Sequence, residues 1–275
     1  HIAAWTALLA QRTKRPVKIR LFRDDDQIMT GKRHPFLTNY EVGFESDGTI
    51  KALKVEQNAD GGAATDLSFA ILERAMFHAE NAYFIPNVKI VGRVYRTNLA
   101  SNTAFRGFGG PQGIAAMENI IERIAFHLNK DAAEVRAHNF YQLEKNNSTP
   151  YGQVITNNHL QAIYSSLMES AQYFQRRQEI NHFNANNEFF KRGLALSPVK
   201  FGISFTTSFL NQAGALVNIY RDGTVTVNHG GTEMGQGLHT KMRQIAASEF
   251  GIDLDKVIVT ATNTSKVPNT SATAA

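Results

Sequence analysis

Two glycine-rich stretches constrain this fold more than anything else in the chain: Phe105-Arg106-Gly107-Phe108-Gly109-Gly110 and Gly230-Gly231-Thr232-Glu233-Met234-Gly235-Gln236-Gly237, each running into an amphipathic segment. Glycine lets backbone approach a neighbour closely and adopt conformations closed to other residues. A helix N-terminus presents free N–H groups and a positive dipole end, so each stretch is a candidate cradle for an anion or cofactor; a tight turn is the plainer reading. Neither stretch ends in the Gly-Lys-Ser/Thr of a nucleotide-binding loop. Gly235-Gln236-Gly237-Leu238-His239-Thr240 comes near a dinucleotide fingerprint, with Asp255 further on, but Thr240 stands where a small residue belongs and the preceding strand is part of a hairpin.

Periodicity supplies the frame. Tyr40–Glu45 alternates, turns at Ser46-Asp47-Gly48-Thr49 and continues through Ile50–Gln57, which predicts a hairpin; Ala215–Tyr220, Arg221-Asp222-Gly223-Thr224 and Val225–His229 predict a second. Further strands are expected at Val17–Leu21, Val88–Thr97, Gly193–Phe205 and Val257–Thr262. Helices are expected over His1–Gln11, ended by Pro16, and over Leu67–Ala79, which carries Arg74. Pro111 opens a third whose apolar face runs through Ile114, Met117, Ile121, Ile124 and Leu128. Asp131 caps a short helix, Asn158–Asn184 reads as one long helix, and Leu238–Phe250 follows the second glycine-rich stretch. The polar run Glu144–Ser148 before Pro150 marks a boundary. The fold class is therefore α+β, with two subdomains, 1–146 and 147–275, each holding a hairpin and a glycine-rich entry into a helix. The helix that opens at His1 without a cap reads as part of something longer.

Composition narrows the chemistry. With no cysteine, the chain cannot supply thiolate metal ligands, a cysteine nucleophile or iron–sulfur ligation of its own. His78-Ala79-Glu80 fits half of a zinc deaminase signature, but the other half is a cysteine pair. His34, His127, His229 and His239 lack metal-ligand spacing and read as structural. The excess of 29 Lys+Arg over 24 Asp+Glu is spread out, and its densest run, Arg12–Arg23, meets Asp24-Asp25-Asp26, so it reads as a solvated face and not a nucleic-acid site. No apolar run is long enough to span a bilayer.

Taken together, Asn102-Thr103-Ala104-Phe105-Arg106-Gly107-Phe108-Gly109-Gly110-Pro111-Gln112-Gly113 and Gly230–Lys241 resemble the molybdopterin-binding part of the xanthine dehydrogenase/aldehyde oxidase family of molybdenum hydroxylases. Arg33-His34-Pro35-Phe36, Leu72–His78, Lys200–Thr206, Asn211–Ala215 and Val267–Ser271 extend the resemblance end to end.

The resemblance implies a molybdenum-molybdopterin cofactor held by the pterin dithiolene and not by protein side chains. It further implies hydroxylation of hypoxanthine or xanthine, with 2Fe–2S clusters, FAD and NAD as acceptor elsewhere in a cytoplasmic, homo-oligomeric enzyme. On this basis Arg106, Met234, Gly235, Gln236, Ala274 and Ala275 are expected to bind the cofactor. Phe108 and Phe205 are expected to sandwich a flat substrate, one stacked and one edge-on, with Thr206 near its oxygen and Arg74 on a purine carbonyl. No catalytic residue is expected within the chain: the family's catalytic glutamate lies beyond Ala275, and a second substrate-binding glutamate precedes His1. An aldehyde oxidase and a non-catalytic cofactor-binding module are the alternatives; an apolar residue at the Arg74 position would favour the aldehyde enzyme.

Overall fold

The computed structural model describes residues 2–202, 204–206, 208–263 and 265–266. Two helices, α1 (Ile2–Thr13) and α2 (Arg23–Met29), precede strands β1 (Phe36–Phe44) and β2 (Ile50–Gly62), helix α3 (Ser68–Phe77) and strand β3 (Asn87–Arg96). Helices α4 (Gly110–Leu128), α5 (Ala132–Asn139), α6 (Leu160–Ser170) and α7 (Tyr173–Ala185) follow. The chain closes with β4 (Ala215–Ile219), β5 (Val225–His229), α8 (Leu238–Phe250) and β6 (Val257–Val259). The α+β expectation holds.

The two sheets are built alike. In each, a hairpin is followed by a helix and then by a strand that pairs parallel with the second hairpin strand, giving the orders β1-β2-β3 and β4-β5-β6. The turns share their chemistry. Thr49 N–H donates to Asp47 Oδ1 at 2.8 Å with Gly48 at φ 98°, and Thr224 N–H donates to Asp222 Oδ1 at 2.9 Å with Gly223 at φ 81°. In each turn Asp supplies a local acceptor and Gly the left-handed position.

In this repeat the counterpart of Gly230-Gly231 just after β5 is Gly61-Gly62 at the end of β2, not Phe105–Gly110, which follows β3. At Gly62, with φ 73°, a Cβ would lie 2.3 Å from the Ala100 carbonyl oxygen, so the doublet serves close backbone approach.

The main core lies between the first sheet and α4. Leu53 and Val55 of β2 meet Met117, Ile120, Ile121 and Ile124 of α4, and Val135, Phe140, Tyr164 and Tyr173 complete the cluster. The second core is small: Val225, Val227, Ala247 and Val257.

Three expectations are corrected. Val17–Leu21 is not a strand: Val17, Ile19 and Leu21 are half-buried in alternation, but no neighbouring strand takes up the backbone. The predicted helix Asn158–Asn184 is two helices, broken at Gln172 with φ 48°. Tyr164 and Tyr173 are nine residues apart, two and a half helical turns, so one straight helix would point them in opposite directions. The break lets both enter the main core, where Tyr164 Oη donates to the Ala133 carbonyl and Tyr173 Oη to Asp131 Oδ1, each at 2.9 Å. Gly193–Phe205 forms no strand either, for a reason given below.

Beside the main core, Glu118 of α4 gathers a buried polar network. Its Oε2 accepts from Arg136 Nε at 2.8 Å, and its Oε1 accepts from Tyr83 Oη at 2.6 Å and Asn81 Nδ2 at 2.8 Å. Arg136 also pairs with Glu122 at 2.6 Å and is 3% exposed. Removing one partner of a buried ion pair strands the other charge. Arg136→Met should therefore destabilise the fold by about 3–5 kcal/mol, read as a lower urea midpoint with the slope of the transition unchanged.

Candidate functional site

Helix α3 and the turn after it carry a row of polar side chains that meets the segment 198–204. Asn81 Nδ2 donates to the Pro198 carbonyl at 2.9 Å, and Asn81 Oδ1 accepts the Lys200 N–H at 3.1 Å. The Lys200 ammonium pairs with Glu80. His78 Nε2 accepts the Gly202 N–H at 3.0 Å, and the two terminal nitrogens of Arg74 donate to the carbonyls of Gly202 and Ser204. Residues 198, 200, 202 and 204 are thus tied at every second position, the spacing of an extended chain. Their backbone groups are satisfied by side chains instead of a neighbouring strand, which is why the alternating segment Gly193–Phe205 makes no sheet.

This strap delivers Phe205 and Thr206. Asn211 brackets Phe205, with Oδ1 accepting its N–H at 2.7 Å and Nδ2 donating to its carbonyl at 3.0 Å. The Phe205 ring packs on Phe108, centroids 5.6 Å apart and planes at 45°, against Ile71 of α3. Among the described residues, Thr206 Oγ1 is buried without a hydrogen-bond partner. Arg74 is 2% exposed, its Nε is also without a partner, and burial lowers its pKa from the ordinary arginine value. Arg74, Phe108, Phe205 and Thr206 therefore form one neighbourhood.

Phe108 sits at φ 50° between Gly107 and Gly109, which are also left-handed. At Gly109 a Cβ would lie 2.0 Å from the Ile71 carbonyl oxygen, and at Gly113 one would lie 2.3 Å from that of Ala75. These glycines let α4 press onto α3. The anion-cradle reading of this stretch does not hold: the N–H groups of Gly110, Gln112 and Gly113 bond to the carbonyls of Gly107 and Gly109, and Pro111 has none.

The second glycine-rich stretch fills its own cradle. Glu233 accepts from the N–H groups of Gly235 at 2.7 Å, Gly237 at 3.1 Å and His239 at 3.3 Å, occupying the N-terminus of α8 as an anion would. Desolvation pushes the Glu233 carboxyl up, but the N–H groups of Gly237, Gly235 and His239 outweigh it and hold its pKa below the usual glutamate value. Gln236 is folded inward: its Oε1 accepts the Met234 N–H at 2.6 Å, and its Nε2 donates to the Thr232 carbonyl at 2.8 Å. One side chain bridges to the first stretch, as Arg106 donates to the Met234 carbonyl at 3.1 Å while Arg33 donates to the Arg106 carbonyl at 2.6 Å.

Arg106, Met234, Gly235 and Gln236 thus form a second neighbourhood beside the first. Gly235 has only the Arg106 guanidinium near its missing Cβ, and Gly237 has nothing within 4 Å. Among the described residues, His229 Nε2, His239 Nε2 and Arg33 Nη1 are buried and have no partner. Open glycine backbone and orphaned polar atoms fit a flat, polar-edged cofactor such as a pterin. Ala274, Ala275 and the Val267–Ser271 segment lie outside the described residues. Among the described residues, no group of three His, Asp or Glu could hold a metal ion, and no helix is long and apolar enough to cross a membrane.

Sequence reasoning gave no site role to His78, Asn81, Asn211 or Arg33. His78 carried a usable signal: it lies four residues after Arg74, one helical turn along the same face. A cleft of about 470 Å³ lies beside the strap, lined by Tyr141, Tyr151, Lys200 and Phe201, but none of the predicted site residues opens onto it.

Comparison with known proteins converges on one family. A molybdopterin cofactor-binding domain family matches residues 1–140, and a second molybdopterin cofactor-binding domain matches residues 166–275. Xanthine dehydrogenase 1 of Arabidopsis thaliana is 53% identical over 274 residues, covering 100% of this chain and 20% of the relative. Xanthine dehydrogenase of Dictyostelium discoideum is 50% identical over 269 residues, 98% of this chain and 20% of the relative. Xanthine dehydrogenase/oxidase of Mus musculus is 50% identical over 274 residues, with coverage of 100% and 20%. The chain spans 20% of the length of these curated relatives.

Among solved structures, the aldehyde oxidoreductase from Desulfovibrio desulfuricans ATCC 27774 matches with a TM-score of 0.78 at 24% identity, covering 98% of this chain and 29% of that one, a likeness of fold alone. Quinoline 2-oxidoreductase from Pseudomonas putida 86 matches with a TM-score of 0.76 at 26% identity, covering 98% and 35%. With both halves matched and the resemblance unbroken from end to end, the chain belongs to the molybdopterin cofactor-binding domain family.

Proposed function

We propose that the chain is the molybdenum-cofactor-binding and substrate-binding portion of a xanthine dehydrogenase that hydroxylates hypoxanthine and xanthine toward urate. The observation that carries this reading is a buried guanidinium, Arg74, fixed beside an aromatic pair and an unpartnered hydroxyl. The names of the relatives that match at about half identity support it.

The cofactor, when bound, would supply the oxygen transfer to the substrate and accept its electrons. The tasks of this chain are holding and orienting. Arg106, Met234, Gly235 and Gln236, with Ala274 and Ala275, are the proposed cofactor-binding residues. Glu233 and Gln236 serve here by shaping the second loop, since both ends of the Gln236 amide and both oxygens of the Glu233 carboxylate bond within residues 232–239.

Phe108 and Phe205 provide the apolar face for a flat heteroaromatic. Two rings must stand about 7 Å apart to admit a third stacked between them. At 5.6 Å and 45° the two rings pack on each other and leave no such gap, so the reading has the substrate stack on one ring and meet the edge of the other. Thr206 Oγ1 can then bond a substrate oxygen. Arg74 has donor positions beyond its two strap bonds, including Nε, for a purine carbonyl and the negative charge that develops on the ring.

The rest of the assembly belongs to the same proposal and rests on the resemblance: 2Fe–2S and FAD modules, NAD as acceptor, a cytoplasmic homo-oligomer, a place in purine catabolism, and the catalytic glutamate outside this chain. So does the division into subdomains 1–146 and 147–275, the second leaning on the main core through Tyr164 and Tyr173. An aldehyde-oxidising hydroxylase is the second reading. It is favoured by the two Arg74 bonds to strap carbonyls, which give that residue structural work independent of any purine.

Arg74→Met in the full-length enzyme separates the two readings. The ratio of kcat/KM for xanthine to that for an aromatic aldehyde should fall by an amount equivalent to about 3 kcal/mol at matched cofactor content, and an unchanged ratio favours the aldehyde reading. Gln236→Ala, by freeing the Met234 N–H and the Thr232 carbonyl, should lower molybdenum content per polypeptide more than it alters that ratio. Full metal loading in that variant would assign Gln236 to loop structure alone.

A further inference from the structure

We infer that His78 is a positioning residue for the substrate site: as a neutral imidazole it locks the strap onto α3, and so sets where Arg74, Phe205 and Thr206 stand relative to one another. The inference rests on the reading of those three residues as a substrate site.

The bonds form a closed cycle. The Arg74 carbonyl accepts from His78 Nδ1 at 2.7 Å, His78 Nε2 accepts from the Gly202 N–H at 3.0 Å, and the Gly202 carbonyl accepts from the Arg74 guanidinium. One tautomer alone satisfies it, with the proton on Nδ1 and a lone pair on Nε2. The ring is 3% exposed and packs on Phe201, centroids 4.9 Å apart. Both ring nitrogens of His78 are thereby spent on the alignment of α3 and strap, and neither is left to touch a substrate.

Protonation would turn Nε2 from acceptor to donor, facing another donor. The surroundings oppose it. Arg74 and Lys200 are the cations on the two elements packed against the ring, Glu80 is held by Lys200 and Tyr141, and the site is desolvated. Burial, with smaller contributions from Lys200 and Arg74 and against the bond to the Arg74 carbonyl, pulls the His78 pKa from 6.5 to about 4. The folded state thus binds fewer protons than the unfolded one between those values. The stability contributed by His78 is complete above pH 6.5 and is lost as pH falls toward 4.

The test uses the full-length enzyme with two variants. His78→Phe keeps the ring packing and deletes both hydrogen bonds, whereas His78→Gln offers an amide whose oxygen and nitrogen have nearly the spacing of the two ring nitrogens. In His78→Phe, amide exchange in peptides covering 198–206 should quicken, and KM for xanthine should rise about tenfold with kcat changed less than twofold and molybdenum content unchanged; that KM shift corresponds to about 1.4 kcal/mol. His78→Gln should restore both, and should lose less stability than the parent between pH 6.5 and 4. Where His78→Phe does not fold, His78→Asn, one carbon too short to reach both partners, takes its place.

Unchanged exchange overturns the inference, and so does faster exchange with an unchanged KM. Failure of the underlying substrate-site reading looks different: Arg74→Met then leaves the xanthine-to-aldehyde ratio at the parental value even though His78→Phe loosens the strap.

Discussion

The site depends on a ladder made of side chains. Asn81, Glu80, His78 and Arg74 bind positions 198, 200, 202 and 204, and without them the strap has no strand to pair with; Asn211 then fixes Phe205 itself, which rests against Phe108. The ladder is itself braced: Asn81 shares its amide between the Pro198 carbonyl and Glu118, and Glu118 is held by Arg136 from α5. Buried polar networks of this kind are costly when incomplete and stiff when complete. A chain of contacts thus runs from the main core to the aromatic pair, through groups whose hydrogen-bonding capacity is largely used.

Glycine serves two distinct purposes in the stretches that look alike in sequence. At Gly109 and Gly113 it removes atoms that would collide with the α3 backbone, so α4 and α3 pack at backbone distance. In Gly230–Gly237 it allows a loop to wrap around its own carboxylate, Glu233, and leaves open backbone at Gly237. Only the second keeps the character of a cradle. Arg106 joins the two by a single donor to the Met234 carbonyl.

Much of the fold was legible because its signals are local. The hairpins follow from Asp47-Gly48-Thr49 and Asp222-Gly223-Thr224, and α4 follows from Pro111 and the spacing of Met117, Ile121 and Ile124. The strand expected at 193–205 was misread because alternation reports an extended chain without saying whether sheet or side chains satisfy it. The break at Gln172 was invisible because it is set by where Tyr164 and Tyr173 must both point, a tertiary demand. For the site, residues in long matched strings such as Phe108, Phe205 and Arg74 could be named from the sequence. Asn81 could not, since its role exists only once the distant strap is brought beside it, and His78 offered only its one-turn spacing from Arg74.

The side-chain ladder also decides which changes of length this protein tolerates. In a β-sheet a slipped strand still finds equivalent backbone partners, at the cost of exchanging its two faces. Here each rung is a different residue, so a slip of one or two positions pairs a carbonyl with a lone pair or a lysine with an imidazole, and no alternative register exists to fall into. An insertion anywhere between Pro198 and Ser204 therefore has no local remedy, while the exposed stretch Glu188–Arg192 can absorb one without touching a rung. Register is encoded one residue at a time, so changes of length in this part of the chain are expected to be tolerated only upstream of the ladder.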